Sequence, residues 1–233
     1  VDAEQDASTS KSGALRAAIF GMNDGLVSNL SLIFGVAGSV VERDVVVIAG
    51  IAGLLAGAFS MAAGEYVSMK VQREVFEQLI HREAHEIATQ PEEELQELAA
   101  IYESKGIGAE TAATIAAELM KDPQIALATH AREELGIDME EGLGSPWAAA
   151  GSSFGTFAIG AAVPLLPFLF TSGGSAVAVS AGLSGVTLFA VGSAMTVLTG
   201  RSALFSGARM LAIGAVAATI TYGVGALLNV AVS

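Results

Sequence analysis

The sequence contains no cysteine, which excludes disulfides and thiolate metal sites and leaves oxygen, imidazole and thioether as the available metal ligands. Basic residues are scarce: 11 Lys and Arg stand against 24 Asp and Glu, for a net charge of −13. Between Lys70 and Ser145 there are 17 acidic and six basic residues, so nearly all the negative charge belongs to one segment. Such a segment repels phosphate, and no nucleic-acid partner is expected. No cleavable signal peptide is expected either, because the first twelve residues, VDAEQDASTSKS, are polar throughout. Residues 1–12 are expected to be a disordered tail. What the chain has in abundance is apolar sequence, with 52% hydrophobic residues, 15% charged and a mean hydropathy of +0.59. That composition describes a polytopic membrane protein carrying one soluble segment.

The expected fold is an all-α membrane protein of five transmembrane helices, with a cytosolic helical domain inserted between spans 2 and 3. Leu15 to Val41 forms the first span, the charged turn Glu42-Arg43-Asp44 follows, and the second span contains Gly50 to Lys70. At ~1.5 Å rise per residue these runs cross a hydrocarbon core of roughly 30 Å. Residues 13–70 thus hold spans 1 and 2, residues 71–145 the acidic domain and residues 146–233 spans 3 to 5. Span 3 opens at Pro146-Trp147, with Trp147 in the interfacial belt, and is expected to kink at Pro164 and Pro167. Span 4 covers about Ala176 to Thr199 and span 5 Gly207 to Val230. Within the acidic domain, Pro91 and Glu92 to Glu94 start a helix that stops at Lys105-Gly106. A further helix runs from Ala109 to Met120, and a last one from Pro123 to about Leu135, ending at Gly136.

Five spans place ten of the eleven basic residues on one side and only Arg43 on the other, which makes the N-terminus and the acidic domain cytosolic. Small residues form stripes on the first two spans: Asp24, Ser28, Ser31, Gly35 and Gly38 on one, Gly50, Gly53, Gly57, Ser60 and Gly64 on the other. Such stripes admit a close helix neighbour in lipid, so a homodimer is expected, with the pathway between or beside subunits.

Two carboxylates, Asp24 and Glu65, sit inside these apolar spans, where an ionisable residue marks an ion or proton path. Asp24 lies 19 residues before Arg43 and Met61 lies 18 after it, so an antiparallel hairpin brings both to one depth. Glu65 follows one turn beyond Met61. In the acidic domain Glu83 and Glu86 are three apart, Glu94 and Glu97 repeat the spacing, and Glu133-Glu134 arrive on the last helix. Carboxylate pairs on facing helices suit a divalent cation, although a solvated acidic surface has the same pattern. His81, His85 and His130 are further candidates. HREAH carries Arg82 where the zinc-protease motif needs Glu, and the Glu-x-x-His of di-iron bundles is missing.

The segments GMNDGLVSNLSLIFGVAG, GLLAGAFSMAAGEYVSMKVQRE, PWAAAGSSFGTFAIGAAVPLLPF and ARMLAIGAVAATITYGVGALL together closely resemble the vacuolar iron transporter family. The resemblance runs from about Gly13 onward. It implies a dimeric five-span fold that exports Fe²⁺, and often Mn²⁺ and related ions such as Zn²⁺ or Co²⁺, in exchange for protons. Its Asp of DGLVS and its Met and Glu of SMAxGEY fall on Asp24, Met61 and Glu65, and its cytosolic metal ligands fall on Glu83, Glu86, Glu94, Glu97 and Glu134. Where plant-type relatives carry a Met pair, this chain has His130-Ala131, with His130 as the substitute ligand. No resident cofactor is expected. The membrane would be vacuolar in a eukaryote and plasma membrane in a bacterium. Rival readings are a Mn²⁺-preferring or broad divalent transporter of the same fold and a membrane-anchored iron-binding or ferroxidase protein.

Overall fold

The computed structural model describes residues 2–39, 42–139, 144–196 and 200–232, with side chains from Ala18 to Asn229 among them. Among the described residues there are eight helices and no strand: α1 Asp2–Ser39, α2 Arg43–Thr89, α3 Pro91–Ser104, α4 Ala109–Leu119, α5 Pro123–Glu133, α6 Pro146–Phe170, α7 Gly173–Ala194 and α8 Ala203–Val232. Five of them, in α1, α2, α6, α7 and α8, are long and apolar enough to cross a membrane. The protein is an integral membrane protein on this pattern.

The punctuation residues act where their chemistry places them. Pro91 occupies the first turn of α3 beside Glu92, Glu93 and Glu94, and Gly106 ends that helix at a φ of +90° that other residues avoid. The Asp122 carboxylate accepts from the amides of Gln124 and Ile125, at 2.8 and 3.4 Å, and so caps α5 ahead of Pro123. Three expectations are corrected. The polar stretch expected as a disordered tail is helical, α1 beginning at Asp2 as an N-terminal extension of the first span. Helices α7 and α8 begin earlier than expected, at Gly173 and Ala203. Residues 197–199, assigned above to the end of span 4, and 40–41 of the first turn lie outside the described residues. Helix α6 continues through both Pro164 and Pro167, and the Ser180 hydroxyl of α7 donates to the Pro164 carbonyl at 2.7 Å.

The chain divides into two compact units, one of Val1–Glu65 with Ala149–Ser233 and one of Tyr66–Ala148. In the first, α1 supplies the centre of the core through Leu26, Leu30, Ile33 and Phe34, joined by Val46, Leu165, Phe168 and Leu188. Helices α1 and α6 meet backbone to backbone: a Cβ on Gly160 would lie 2.0 Å from the Met22 carbonyl oxygen, and one on Gly25 would lie 2.1 Å from that of Phe157. Only glycine permits that approach. The outer surface is apolar, with Phe59, Val186, Phe170 and Leu227 exposed. Arg43 donates to the carbonyls of Phe168 and Leu169, placing a cation on the C-terminus of α6.

The small-residue stripe of α2 has a use that periodicity did not assign to it. Gly50 faces Ile33 and Leu165, Gly53 faces Asn29 and Leu32, and Gly57 faces the Phe157 ring, so most of the stripe receives side chains of the same chain. Gly64 alone of its glycines has no atom within 4 Å of an added Cβ. The second unit packs Leu98, Ala99 and Ala116 against Leu95, Tyr102, Leu119 and Met120.

Candidate metal sites

In the second unit three helices converge on one point. Glu83 comes from the polar half of α2, Glu94 from the first turn of α3 and His130 from the last turn of α5. All three side chains are buried, and one ligand atom from each lies within 4.8 Å of the others. His130 Nδ1 stands 3.0 Å from Glu83 Oε1, 3.5 Å from Glu94 Oε2 and 3.9 Å from Glu134 Oε2. Even so, Glu83 Oε1 and both ring nitrogens of His130 have no aligned hydrogen-bond partner. Buried polar atoms are nearly always paired, so the orphaned Glu83 Oε1 and His130 Nδ1, 3.0 Å apart, describe a cradle for something with positive charge.

The electrostatics agree. Burial, then the neighbouring charges of Glu134, Glu94 and Glu86, pushes the Glu83 carboxyl up to about 7. Burial and Glu97 raise Glu94 as well, and burial holds His130 below its usual value against the pull of Glu134 and Glu97. Nearby cations are engaged elsewhere, Arg82 with Glu86 at 3.6 Å and Lys105 with Glu133. Two carboxylates and an imidazole form a donor set for a borderline divalent first-row ion. Glu86 and Glu97 are not in the three-residue cluster: Glu86 is half-buried against Arg82 and Glu97 is exposed. Both act on it through charge, and Glu134 stands at its edge. His81 and His85 are exposed.

In the first unit a pocket of about 350 Å³ is lined by Asp24, Ser28, Asn29, Leu32, Gly53, Gly57, Ser60, Met61 and Phe157. The hairpin count that put Asp24 and Met61 at one depth is met by their shared lining. Glu65 is half-buried and is not among the lining residues. Periodicity missed Asn29, which is buried, shares this lining and donates from Nδ2 to the Ala161 carbonyl at 2.7 Å. Its only sequence signal is a polar residue next to Ser28 on an otherwise apolar span.

The profile of the VIT family matches residues 15–226, a range that holds every residue of both sites. The chain belongs to the VIT family. A vacuolar iron transporter of Acanthamoeba castellanii is 38% identical over 236 residues, covering 97% of this chain and 84% of its own length. Vacuolar iron transporter 1 of Arabidopsis thaliana is 32% identical over 212 residues, with 89% of this chain and 83% of the relative covered. The rice protein of the same name is 30% identical over 210 residues, with 90% and 83% covered. Membership spans both units, since the matched range begins in α1 and ends in α8.

Proposed function

We propose that this VIT-family protein is a transporter rather than an enzyme, moving Fe²⁺ out of the cytosol in exchange for protons, with Mn²⁺, Zn²⁺ and Co²⁺ as related cargo. The observation that carries this reading is the pocket in which α1 and α2 present Asp24 and Met61 within an outwardly apolar bundle. An ionisable residue in a span marks an ion path, and a thioether beside a carboxylate suits a first-row ion better than calcium or magnesium. The relatives named as vacuolar iron transporters support iron as the cargo.

In this reading the buried trio of Glu83, Glu94 and His130 captures the ion from the cytosol, and Glu86, Glu97 and Glu134 add the negative field that draws it in. Asp24, Met61 and Glu65 then carry it through the membrane. Protonation of Asp24 or Glu65 competes with the metal, releases it on the far side and returns protons. The positive-inside bias supports a cytosolic acidic domain, and hence export into a vacuole or out of the cell. Asp24 and Gly64 are exposed in the single chain, which supports a homodimer in which the second copy completes the wall of the path.

Proteoliposomes holding an iron-sensitive and a pH-sensitive dye test the reading. The expected result is Fe²⁺ entry with an opposite proton flux. Fe²⁺ entry with no proton movement overturns the exchange. Oxygen consumption on adding Fe²⁺, without entry, restores the ferroxidase rival.

A further inference from the structure

We propose that the carboxamide oxygen of Asn29 is a metal ligand in the membrane pocket, completing a site for a divalent first-row cation with the Asp24 carboxylate and the Met61 thioether. The inference rests on the transport reading above and adds a residue that the sequence pattern does not select.

Asn29 is only 2% exposed, in the middle of α1. Its Nδ2 lies 2.7 Å from the carbonyl oxygen of Ala161 on α6. A carbonyl only accepts, so the atom facing it must be the amide nitrogen, and the orientation of the carboxamide follows from chemistry. The oxygen is thereby turned away from α6. It has no hydrogen-bond partner, although an amide oxygen has two lone pairs and its burial without one is costly. It faces Gly53 of α2, where an added Cβ would stand 2.7 Å from it, closer than real Cβ contacts allow, so only glycine fits beside it. Asn29, Gly53, Asp24 and Met61 all line the same pocket.

A lone carboxylate and a thioether form a poor shell for a metal ion of two positive charges. A neutral oxygen adds a hard donor without adding a charge that would hold the ion too tightly to leave. The hydrogen bond to Ala161 fixes the direction of that donor, as outer partners do for ligands elsewhere.

Fe²⁺ uptake by the full chain in proteoliposomes, with Mn²⁺ and Cd²⁺ as hard and soft competitors, is the test. Asn29→Leu is expected to raise KM for Fe²⁺ about tenfold, the scale of one lost ligand interaction, with Mn²⁺ competition weakened more than that of Cd²⁺. Asn29→Asp keeps an oxygen but loses the N–H that ties α1 to Ala161. It is expected to hold KM within about threefold of wild type and to favour Mn²⁺ over Cd²⁺ more strongly than wild type does. A residue that only clamps the two helices gives the reverse, with Asp as damaging as Leu and the Mn²⁺ to Cd²⁺ ratio unchanged in both. That result, or wild-type KM in Asn29→Leu, overturns the proposal. Should Asn29→Leu fail to fold, the competition ratio of Asn29→Asp decides alone: a shift towards Mn²⁺ supports the ligand, and a wild-type ratio removes it. Wild-type liposomes that take up no Fe²⁺ overturn the transport reading and this one together. Uptake abolished by Asp24→Ala but untouched by Asn29→Leu overturns this one only.

Discussion

The two candidate sites of this VIT-family protein differ in almost every physical respect. The acidic unit gathers two carboxylates and an imidazole in a fully buried point with orphaned lone pairs. The membrane unit offers one carboxylate, one thioether and one carboxamide around an open pocket, and Asp24 remains exposed. A site with two buried carboxylates and no Lys or Arg paired to either among the described residues is costly without a cation and binds one tightly. A site with one charge and two neutral donors is expected to bind weakly enough to let go. Capture and passage ask for opposite affinities, and the proposed function assigns one to each region.

The comparison breaks most easily at the acidic cluster. Glu83→Gln removes one of two buried charges and is expected to weaken Mn²⁺ or Fe²⁺ binding at equilibrium on the order of 100-fold, or about 2.7 kcal/mol. Met61→Ala in the other unit is expected to leave that tight binding unchanged, by anaerobic titration calorimetry of the purified protein. Equal losses in both variants would mean that a single site accounts for all the binding.

A smaller effect comes from pH. The Glu83 carboxyl, pushed up to about 7, must lose its proton before it binds metal. Affinity at the cluster is therefore expected to rise roughly tenfold between pH 6 and pH 8, with release of a proton that calorimetry in two buffers detects. The stability of the metal-free protein moves the other way. A carboxyl raised by folding stabilises fully below its unfolded value of about 4.5, and that contribution is lost as pH rises through about 7. His130, held low, contributes above about 6.5 and loses its contribution as pH falls, so between pH 6.5 and 8 the carboxylates alone set the slope. Thermal unfolding of metal-free protein is expected at a lower temperature at pH 8 than at pH 6.5, with the difference removed by added Mn²⁺.

The smallest effect separates the histidines. His81→Ala and His85→Ala are expected to change metal affinity less than about twofold, since exposed imidazoles away from the cluster contribute only a screened field. A loss as large as that of Glu83→Gln in either variant would move the site onto the outer face of α2.

Much of this was legible from residue order alone, and the rest was hidden for definite reasons. The spans and the ends of α3 and α5 follow from apolar length and from Pro91, Gly106, Asp122 and Gly136, which act locally. Asp24 and Met61 could be paired because a hairpin makes depth a matter of counting. The i, i+3 spacing put Glu83 with Glu86 and Glu94 with Glu97, but spacing cannot say which member of a pair turns inward. Packing chose Glu83 and Glu94, and burial made His130 their centre, whereas its sequence signal was only a departure from a Met pair. Asn29 had only its polarity beside Ser28 as a signal, because its burial and orientation depend on a carbonyl 132 positions away. The helical Asp2 to Ser10 was misjudged from its polarity, which governs burial better than it governs helix formation.

The division of labour is tested most directly by Fe²⁺ uptake into proteoliposomes over a range of Fe²⁺ concentrations, with Asp24→Ala and Glu83→Gln measured beside wild type. Asp24→Ala is expected to lower the maximal rate at least about 100-fold, and Glu83→Gln to raise KM while leaving the maximal rate near wild type. Asp24→Ala moving Fe²⁺ at the wild-type rate would contradict the account.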